Sequence, residues 1–166
     1  VETDYLKALA TKEDATLYMV LLALFNVLLG KLSGQEDIVI GSPVEGRSHE
    51  DLRHIIGMFV NTLPIRNYPR RELSFSRFLA RVKTQSLTAF ENQDYPFEEL
   101  VEKVMDNINR DASRNPLFDV MFGLQNMEIV ALRIPGLMLK PYPAVALSSK
   151  FDLSVHGFED RDSLHF

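Results

Sequence analysis

The sequence contains no cysteine, and this single absence removes several chemistries. Disulfide bridges, thiolate metal sites, CxxC redox motifs and a cysteine nucleophile are all excluded. A chain of 166 residues that does without disulfides is typical of a reducing compartment. We therefore predict a cytoplasmic protein.

Glycine and proline are also scarce, with eight of each, so collagen-like repeats and low-complexity linkers are excluded. Apolar residues make up 46% of the chain and charged residues 25%, a balance that favours a folded core over disorder. No internal repeat is present. We predict one globular domain over residues 1–166.

Basic residues are fewer than acidic ones, 18 against 23, and the net charge is −5. Such a chain is poorly suited to a phosphate backbone, so we expect no nucleic-acid partner. Long hydrophobic runs are missing as well. The longest, residues 17–29, is interrupted by Asn26 and is shorter than the roughly 20 residues of a membrane-spanning helix. It indicates a buried helix, and we expect no membrane association.

Several site motifs are absent. No GxGxxG, GxxxxGK or GxSxG string occurs, which excludes a dinucleotide fingerprint, a Walker-type phosphate loop and a serine nucleophile elbow. His49 and His54, with Glu50 and Asp51 between them, match no standard spacing of metal ligands. We predict no metal site.

Hydrophobic periodicity predicts helices in the first half of the chain and strands between them. We predict a central helix over 15–34 with Asp14 as its N-cap and Gly30 or Gly34 near its end. A core strand follows over 37–44, in which Gly41 and Pro43 mark a turn of the chain. A capping box at Ser48 and Asp51 opens a short helix that ends near His54. A strand over 58–66 contains Pro64, which marks a sheet edge or a strand end.

The second half begins with an amphipathic helix over 74–92 and a shorter helix from Pro96 to about residue 107. Alternating apolar residues then predict a strand over 118–125 and further strands at 129–134, 151–158 and 163–166. An acidic turn over 159–162 joins the last two strands. We predict an α+β fold, a two-layer sandwich of a mixed sheet flanked by helices.

His156 and Asp160 form an HxxxD string, a spacing that acyltransferases use for a general-base histidine. The strand alternation around His156 favours a plain surface position instead, on the polar face next to an acidic turn. Asn61 carries a second ambiguity, because an amide in an apolar strand needs polar partners. It either bonds neighbouring backbone or lines a cleft, and the residues alone leave both open.

Five segments in order strongly resemble the condensation domains of nonribosomal peptide synthetases. They cover nearly the whole chain and are DIVIGSPVEGR (37–47), IGMFVNTLPIR (56–66), NQDYPFEELVE (92–102), RDASRNPLFDVMFGLQN (110–126) and KFDLSV (150–155). The VNTLP form is more similar to peptide-forming members than to the related epimerisation or heterocyclisation domains.

The resemblance implies a fold like that of chloramphenicol acetyltransferase, in which two related subdomains form a V around a tunnel. It implies amide-bond formation, in which a carrier-bound amine attacks a carrier-bound thioester. The family's HHxxxDG motif, whose second histidine positions or deprotonates the amine, lies in the N-terminal subdomain. No HH pair occurs here, and the only HxxxD is followed by Arg161. The chain is therefore interpreted as the C-terminal subdomain, inactive alone, with its catalytic histidine upstream.

The resemblance also implies residue roles. Asn61 matches the tunnel-facing asparagine of the family, with Thr62 and Arg66 as further candidates for the tunnel wall. Structural roles are implied for the remaining motif positions, namely Arg47, Pro96, Glu98, Arg110, Asn115, Pro116 and Asp152.

The expected partners are the N-terminal subdomain, peptidyl carrier domains and adjacent synthetase modules. We expect no directly bound cofactor, because phosphopantetheine is attached to the carrier domains. We also expect self-association through the face that meets the missing subdomain. Two alternatives stay open: a carrier-binding or structural module without chemistry, and a stand-alone acyltransferase that uses His156.

Overall fold

A computed structural model describes residues 2–47, 49–52, 54–104, 114–125, 134, 136–137, 148–160 and 163–166. The helices in these ranges are α1 (Glu2–Lys12), α2 (Leu17–Ser33), α3 (Phe75–Glu91) and α4 (Phe97–Val104), with a short 3₁₀ turn at Glu50–Leu52. The strands are β1 (Ile38–Glu45), β2 (Val60–Asn67), β3 (Val120–Gln125), β4 (Leu153–Asp160) and β5 (Ser163–His165).

The five strands form one mixed sheet in the order β2-β1-β3-β4-β5. β1, β3 and β4 run parallel, while β2 and β5 pair antiparallel at the two ends. The predicted α+β fold with a mixed sheet flanked by helices is confirmed. Pro64 lies on β2, which is an edge strand of the sheet, as predicted.

The core lies between one face of the sheet and the helices α2 and α3. Leu22 and Val20 of α2, Val82 of α3, Ile40 of β1 and Phe122 of β3 are almost fully buried there. Tyr18 of α2 donates a hydrogen bond of 2.7 Å to Ser42 of β1, which joins the helix layer to the sheet. Burial raises the pKa of the Tyr18 phenol to about 12. We call this covered side the helix face and the other side the open face.

The start of α2 corrects one prediction, because the N-cap is Thr16 and not Asp14. The Thr16 hydroxyl accepts a bond of 3.2 Å from the Met19 N–H, which satisfies one free donor of the first turn. Asp14 lies before the cap with φ of 48°, and its carboxylate binds Lys83 of α3 at 2.7 Å. Gly34 ends the helix in the left-handed conformation, as the sequence predicts.

The predicted turn at Gly41 and Pro43 is wrong, because β1 continues through both residues to Glu45. Gly41 is required for another reason. A Cβ placed there would lie 2.2 Å from the ring of Phe118, so the glycine makes room for an aromatic side chain on the open face. Pro43 pairs with Thr62 of β2 within the ladder.

α1 was not predicted, whereas α3 begins after Ser74 and α4 after Pro96 as the sequence indicates. Several predicted features lie outside the described residues, namely the Ser48 capping position, the end of the α4 region near 107, Arg110 and nearly all of the strand predicted at 129–134.

Among the described helices, none alone meets the length and apolarity of a membrane span. α1 and α2 meet them only as a pair bent by 105°.

Candidate functional site at the carboxyl edge of the sheet

The parallel strands β1, β3 and β4 all end on the same side of the sheet, at Glu45, Gln125 and Asp160. β2 runs in the opposite direction and therefore begins on this side, with Val60 and Asn61. We call this side the carboxyl edge. It is the place where open α/β sheets most often carry binding groups.

Asn61 lies at the carboxyl edge, half-buried on the helix-face side of β2. Its amide Nδ2 donates to the carbonyl oxygens of Gln93 and Tyr95, at 2.7 and 2.8 Å. Its Oδ1 accepts from the Thr62 N–H at 2.9 Å. All three bonds go to backbone groups, so the side chain ties the start of β2 to the connection between α3 and α4.

Thr62 points to the opposite face from Asn61, because side chains alternate along a strand. Arg66 shares the open face with Thr62, but it lies about 13 Å further along β2. Its guanidinium holds Asp37 with two bonds, of 2.8 and 2.5 Å. The three predicted tunnel residues therefore share one strand but do not converge on one point.

A row of open-face residues crosses four strands at the level of Thr62. Thr62 of β2 pairs with Pro43 of β1, and Gly123 of β3 pairs with His156 of β4. A Cβ on Gly123 would lie 3.3 Å from Pro43 Cγ and 3.6 Å from His156 Nδ1. The row Thr62–Pro43–Gly123–His156 thus brings together Thr62 and His156, which belong to different predicted sites.

His156 and Asp160 do not form a catalytic pair in this structure. Both belong to β4, four residues apart on an extended strand, which separates their backbones by about 13 Å. Both side chains are exposed. This geometry gives the stand-alone acyltransferase alternative no support.

Arg47 organises the segment that joins β1 to β2. Its Nη1 donates to the carbonyl oxygens of Leu52 and Ile55, and its Nη2 donates to that of Gly57 at 2.9 Å. The guanidinium also stacks 4.4 Å from the centre of the Phe59 ring. We call residues 49–52 and 54–59 the Arg47 loop. The sequence indicated a structural role for Arg47 but not the apolar surface that this loop presents.

The RNPLF segment places Phe118 over Gly41. Asn115 Oδ1 accepts from the N–H groups of Leu117 and Phe118, at 3.1 and 3.3 Å, and so bends the chain around Pro116. Phe118 then contacts Phe97 of α4 and Phe151, with ring centres 5.8 and 5.5 Å away.

Two ion pairs of Arg114 and the first turn of α4 hold the segments next to Phe118 in place. Arg114 binds Asp152 at 2.9 Å and Asp119 at 3.4 Å. The Pro96 carbonyl accepts from Leu100 at 3.1 Å, and Glu98 in the first turn of α4 complements the positive end of the helix dipole. These contacts are structural in kind, and Arg110 lies outside the described residues.

A cavity of about 660 Å³ lies elsewhere, between the end of α2 and the segment that leads into α3. Gly30, Pro69, Leu73 and Phe78 line it, and none of the carboxyl-edge residues does. Over the described ranges, no cluster of three or more His, Asp or Glu side chains is arranged to hold a metal ion.

Comparison with known proteins gives the family. The family model of the condensation domain matches residues 1–166. Tyrocidine synthase 3 of Brevibacillus parabrevis is 55% identical over 163 residues, which are 98% of this chain and 2% of that protein. Surfactin synthase subunit 1 of Bacillus subtilis is 48% identical over 165 residues, 99% of this chain and 4% of that protein. The chain thus spans a few per cent of these relatives.

Solved structures agree with the sequence relatives. A four-domain nonribosomal peptide synthetase in its holo form, bound to AMP and glycine, matches with a TM-score of 0.85 and 26% identity over 98% of this chain and 13% of that one. The condensation domain of the monacolin K polyketide synthase MokA shares the fold, with a TM-score of 0.78, 21% identity and coverage of 98% and 37%. This chain belongs to the condensation-domain family of the nonribosomal peptide synthetases.

Proposed function

We propose that this chain is the C-terminal subdomain of a peptide-bond-forming condensation domain. The observation that carries the proposal is the family match over residues 1–166 in a sequence without an HH pair. The fold comparison supports it, since the chain covers only 37% of a solved condensation domain. A substantial part of such a domain therefore lies outside this sequence.

The reaction of the whole domain is the aminolysis of a thioester. The amine nitrogen of a carrier-bound acceptor attacks the carbonyl carbon of a carrier-bound donor. A C–N bond forms, the C–S bond breaks, and the amine loses a proton while the donor's phosphopantetheine leaves as a thiol. Phosphopantetheine is thus a substrate tether on the carrier domains, and this chain binds no cofactor of its own.

This chain supplies one wall of the tunnel in which the two tethered substrates meet. Thr62 lies on the open face with Pro43, Gly123 and His156, and this row forms the surface of the wall. Asn61 acts as a positioning residue, because its bonds to Gln93 and Tyr95 hold the carboxyl edge in place. Arg66 borders the wall at the far end of β2. The proton-handling histidine belongs to the N-terminal subdomain, so this chain alone is not an enzyme.

The proposed partners follow from this division. They are the N-terminal subdomain, the upstream and downstream peptidyl carrier domains and the neighbouring modules of a synthetase that works in the cytoplasm.

An exchange experiment tests the proposal. This chain replaces the aligned 163 residues in a condensation domain of tyrocidine synthase 3, and both the chimera and the isolated chain are assayed with loaded carrier domains. Mass spectrometry of the acceptor carrier should detect a dipeptidyl thioester with the chimera and none with the isolated chain. The matched control is the chimera with the second histidine of HHxxxDG changed to alanine, which should form no product.

Two results would overturn the proposal. One is product formation by the isolated chain. The other is a chimera that melts cooperatively, as a folded domain does, yet makes no dipeptide.

A further inference from the structure

We propose that the cavity at the end of α2 binds a small amphipathic anion, a ligand with an apolar body and one carboxylate or phosphate group. The cavity measures about 660 Å³, which lies within the roughly 300–1,000 Å³ of small-molecule sites in proteins. None of the carboxyl-edge residues lines it, so the inference goes beyond the proposed function and does not rest on it.

The cavity exists because one side of the end of α2 carries two glycines in place of side chains. The lining residues that follow one another at helical spacing on this side are Val27, Gly30, Lys31 and Gly34. A Cβ at Gly30 would lie 3.1 Å from Pro69 Cγ, whereas a Cβ at Gly34 would meet no atom within 4 Å. The cavity is therefore closed by Pro69 at the first glycine and open at the second.

The floor of the cavity is apolar. Leu73, on the segment that leads into α3, and Phe75, in the first turn of α3, are half-buried, while Phe78 is almost fully buried. Val27 and Pro69 extend this surface towards α2. A ligand with an apolar body would remove the surface from water, and this burial supplies part of the affinity.

The rim of the cavity is basic. Its cations are Lys31, Arg70 and Arg71, which are exposed and form no ion pair within the part of the chain that the structure describes. Among the described lining residues, the carboxylate of Glu36 is the only negative side chain. The planar fork of arginine donates two parallel bonds to a carboxylate or a phosphate. Unpaired arginines beside an apolar floor thus suit an amphipathic anion.

The two helix ends at the cavity determine which way the ligand lies. The first turn of α3, at Phe75, contributes the positive end of a helix dipole, whereas the end of α2, at Gly34, contributes a negative one. Glu36 lies just after the negative end. We therefore expect the anionic group at Arg70 and Arg71 and the apolar body over the floor.

Titration calorimetry with naphthoate, an aromatic carboxylate, and with naphthyl phosphate tests the inference. At least one of these anions should bind the isolated chain saturably at one site, and the tighter one identifies the preferred anionic group. Naphthamide has the same rings without the charge and should bind at least about tenfold more weakly than naphthoate, since it loses the charge-assisted bonds. Acetate has the charge without the rings and should give no measurable heat.

Variants locate the binding. Arg70→Ala with Arg71→Ala should weaken the binding of naphthoate by about tenfold or more. The matched control is Arg77→Ala with Arg81→Ala, which removes the same charge from exposed positions of α3 outside the cavity and should change the affinity by less than about twofold. Val27→Phe keeps every charge but fills the floor, so it should weaken naphthoate and naphthamide alike. Thermal melting of each variant shows whether it is folded.

Four results would overturn the inference. They are no saturable heat with either anion, equal affinity for naphthoate and naphthamide, equal losses in the two arginine pairs, and binding by the isolated chain that disappears in the tyrocidine synthase chimera. The last result would show that another part of the synthetase covers the cavity. None of them depends on whether the chimera forms a dipeptide, so the binding site and the proposed function are tested separately.

Discussion

At the scale of single residues, the amide of Asn61 uses both of its N–H groups on carbonyl oxygens of the segment between α3 and α4. The sequence predicted that Asn61 either bonds backbone groups or lines a cleft. Its observed contacts are bonds to backbone groups. Its resemblance to a tunnel-facing asparagine stays a prediction. Both descriptions are compatible, because a residue that fixes the edge of a wall also determines where the wall lies.

Replacement of Asn61 by alanine should destabilise the chain by about 1–3 kcal/mol, because two carbonyls lose their donors in a half-buried place. Urea unfolding monitored by circular dichroism measures this loss. Asn92→Ala is the matched control, since the Asn92 side chain is exposed and donates to the Thr88 carbonyl. It should change stability by no more than about 0.5 kcal/mol. Equal effects of the two variants would contradict the positioning role.

Asp37 gives a prediction about pH. Its hydrogen bonds to Arg66 lower the pKa of the Asp37 carboxyl below its usual range. A carboxylate of this kind stabilises the fold above the ordinary aspartate pKa and loses that effect as the pH falls through its lowered value. The parent chain should therefore have a higher melting temperature than Asp37→Asn at about pH 7, and this difference should disappear as the pH falls through the lowered pKa of Asp37.

Salt provides the control for the Asp37 prediction, because both side chains are about half exposed. At about 1 M salt the difference at neutral pH should shrink through screening. A difference in melting temperature that stays constant across the acid range would show that the ion pair contributes nothing.

At the scale of secondary structure elements, most helices and strands could be predicted, because their signals are local. The apolar run of α2, the spacing of α3 and the alternation in β3 and β4 each follow from one stretch of sequence. α1 was missed because it carries no strong apolar face, and only Thr3 and Ala10 of it are buried. The continuation of β1 through Gly41 was missed because its cause, the ring of Phe118, lies 77 residues further along the chain.

The candidate site was less predictable than the elements. Motif resemblance singled out Asn61 and Arg47, but their partners are backbone groups, which sequence patterns do not reveal. The RNPLF and NQDYP segments carry a local sequence signal for the site, since both bring turn-forming residues next to aromatic ones. The row across Thr62 and His156 depends on strand order, which no local pattern in this chain determines.

The N-cap of α2 provides a prediction at this scale. Thr16→Ala should lower the free energy of unfolding by about 1 kcal/mol, because the Met19 N–H loses its acceptor. Thr16→Ser keeps the hydroxyl and should stay within about 0.5 kcal/mol of the parent. Asp14→Ala tests the rejected cap. If Asp14→Ala lowers the free energy of unfolding by about 1 kcal/mol while Thr16→Ala has no effect, the assignment of the cap is wrong.

At the scale of the whole molecule, the exposed apolar surface extends beyond the Arg47 loop. Leu24, Leu28 and Leu32 follow one side of α2 and are 40%, 50% and 76% exposed. Their spacing of four residues makes a continuous stripe along the helix. Such stripes favour association when nothing covers them.

We therefore expect the isolated chain to self-associate. Light scattering during size-exclusion chromatography should give a mass that rises above 18.9 kDa as the concentration increases. Leu28→Glu with Leu32→Glu should reduce this rise. A mass that stays at the monomer value at every concentration would refute the expectation.

The mixed sheet also sets the order in which the chain assembles during synthesis. β1 meets its antiparallel neighbour β2 soon after both leave the ribosome, but its parallel neighbour begins at Val120, 80 residues after Ile40. The β1–β2 ribbon is complete at Asn67, 53 residues before Val120. At about 5–20 residues per second, one edge of this nascent ribbon therefore stays unpaired for roughly 3–11 s. An open strand edge of that lifetime is a target for chaperones and a starting point for misassembly between neighbouring nascent chains.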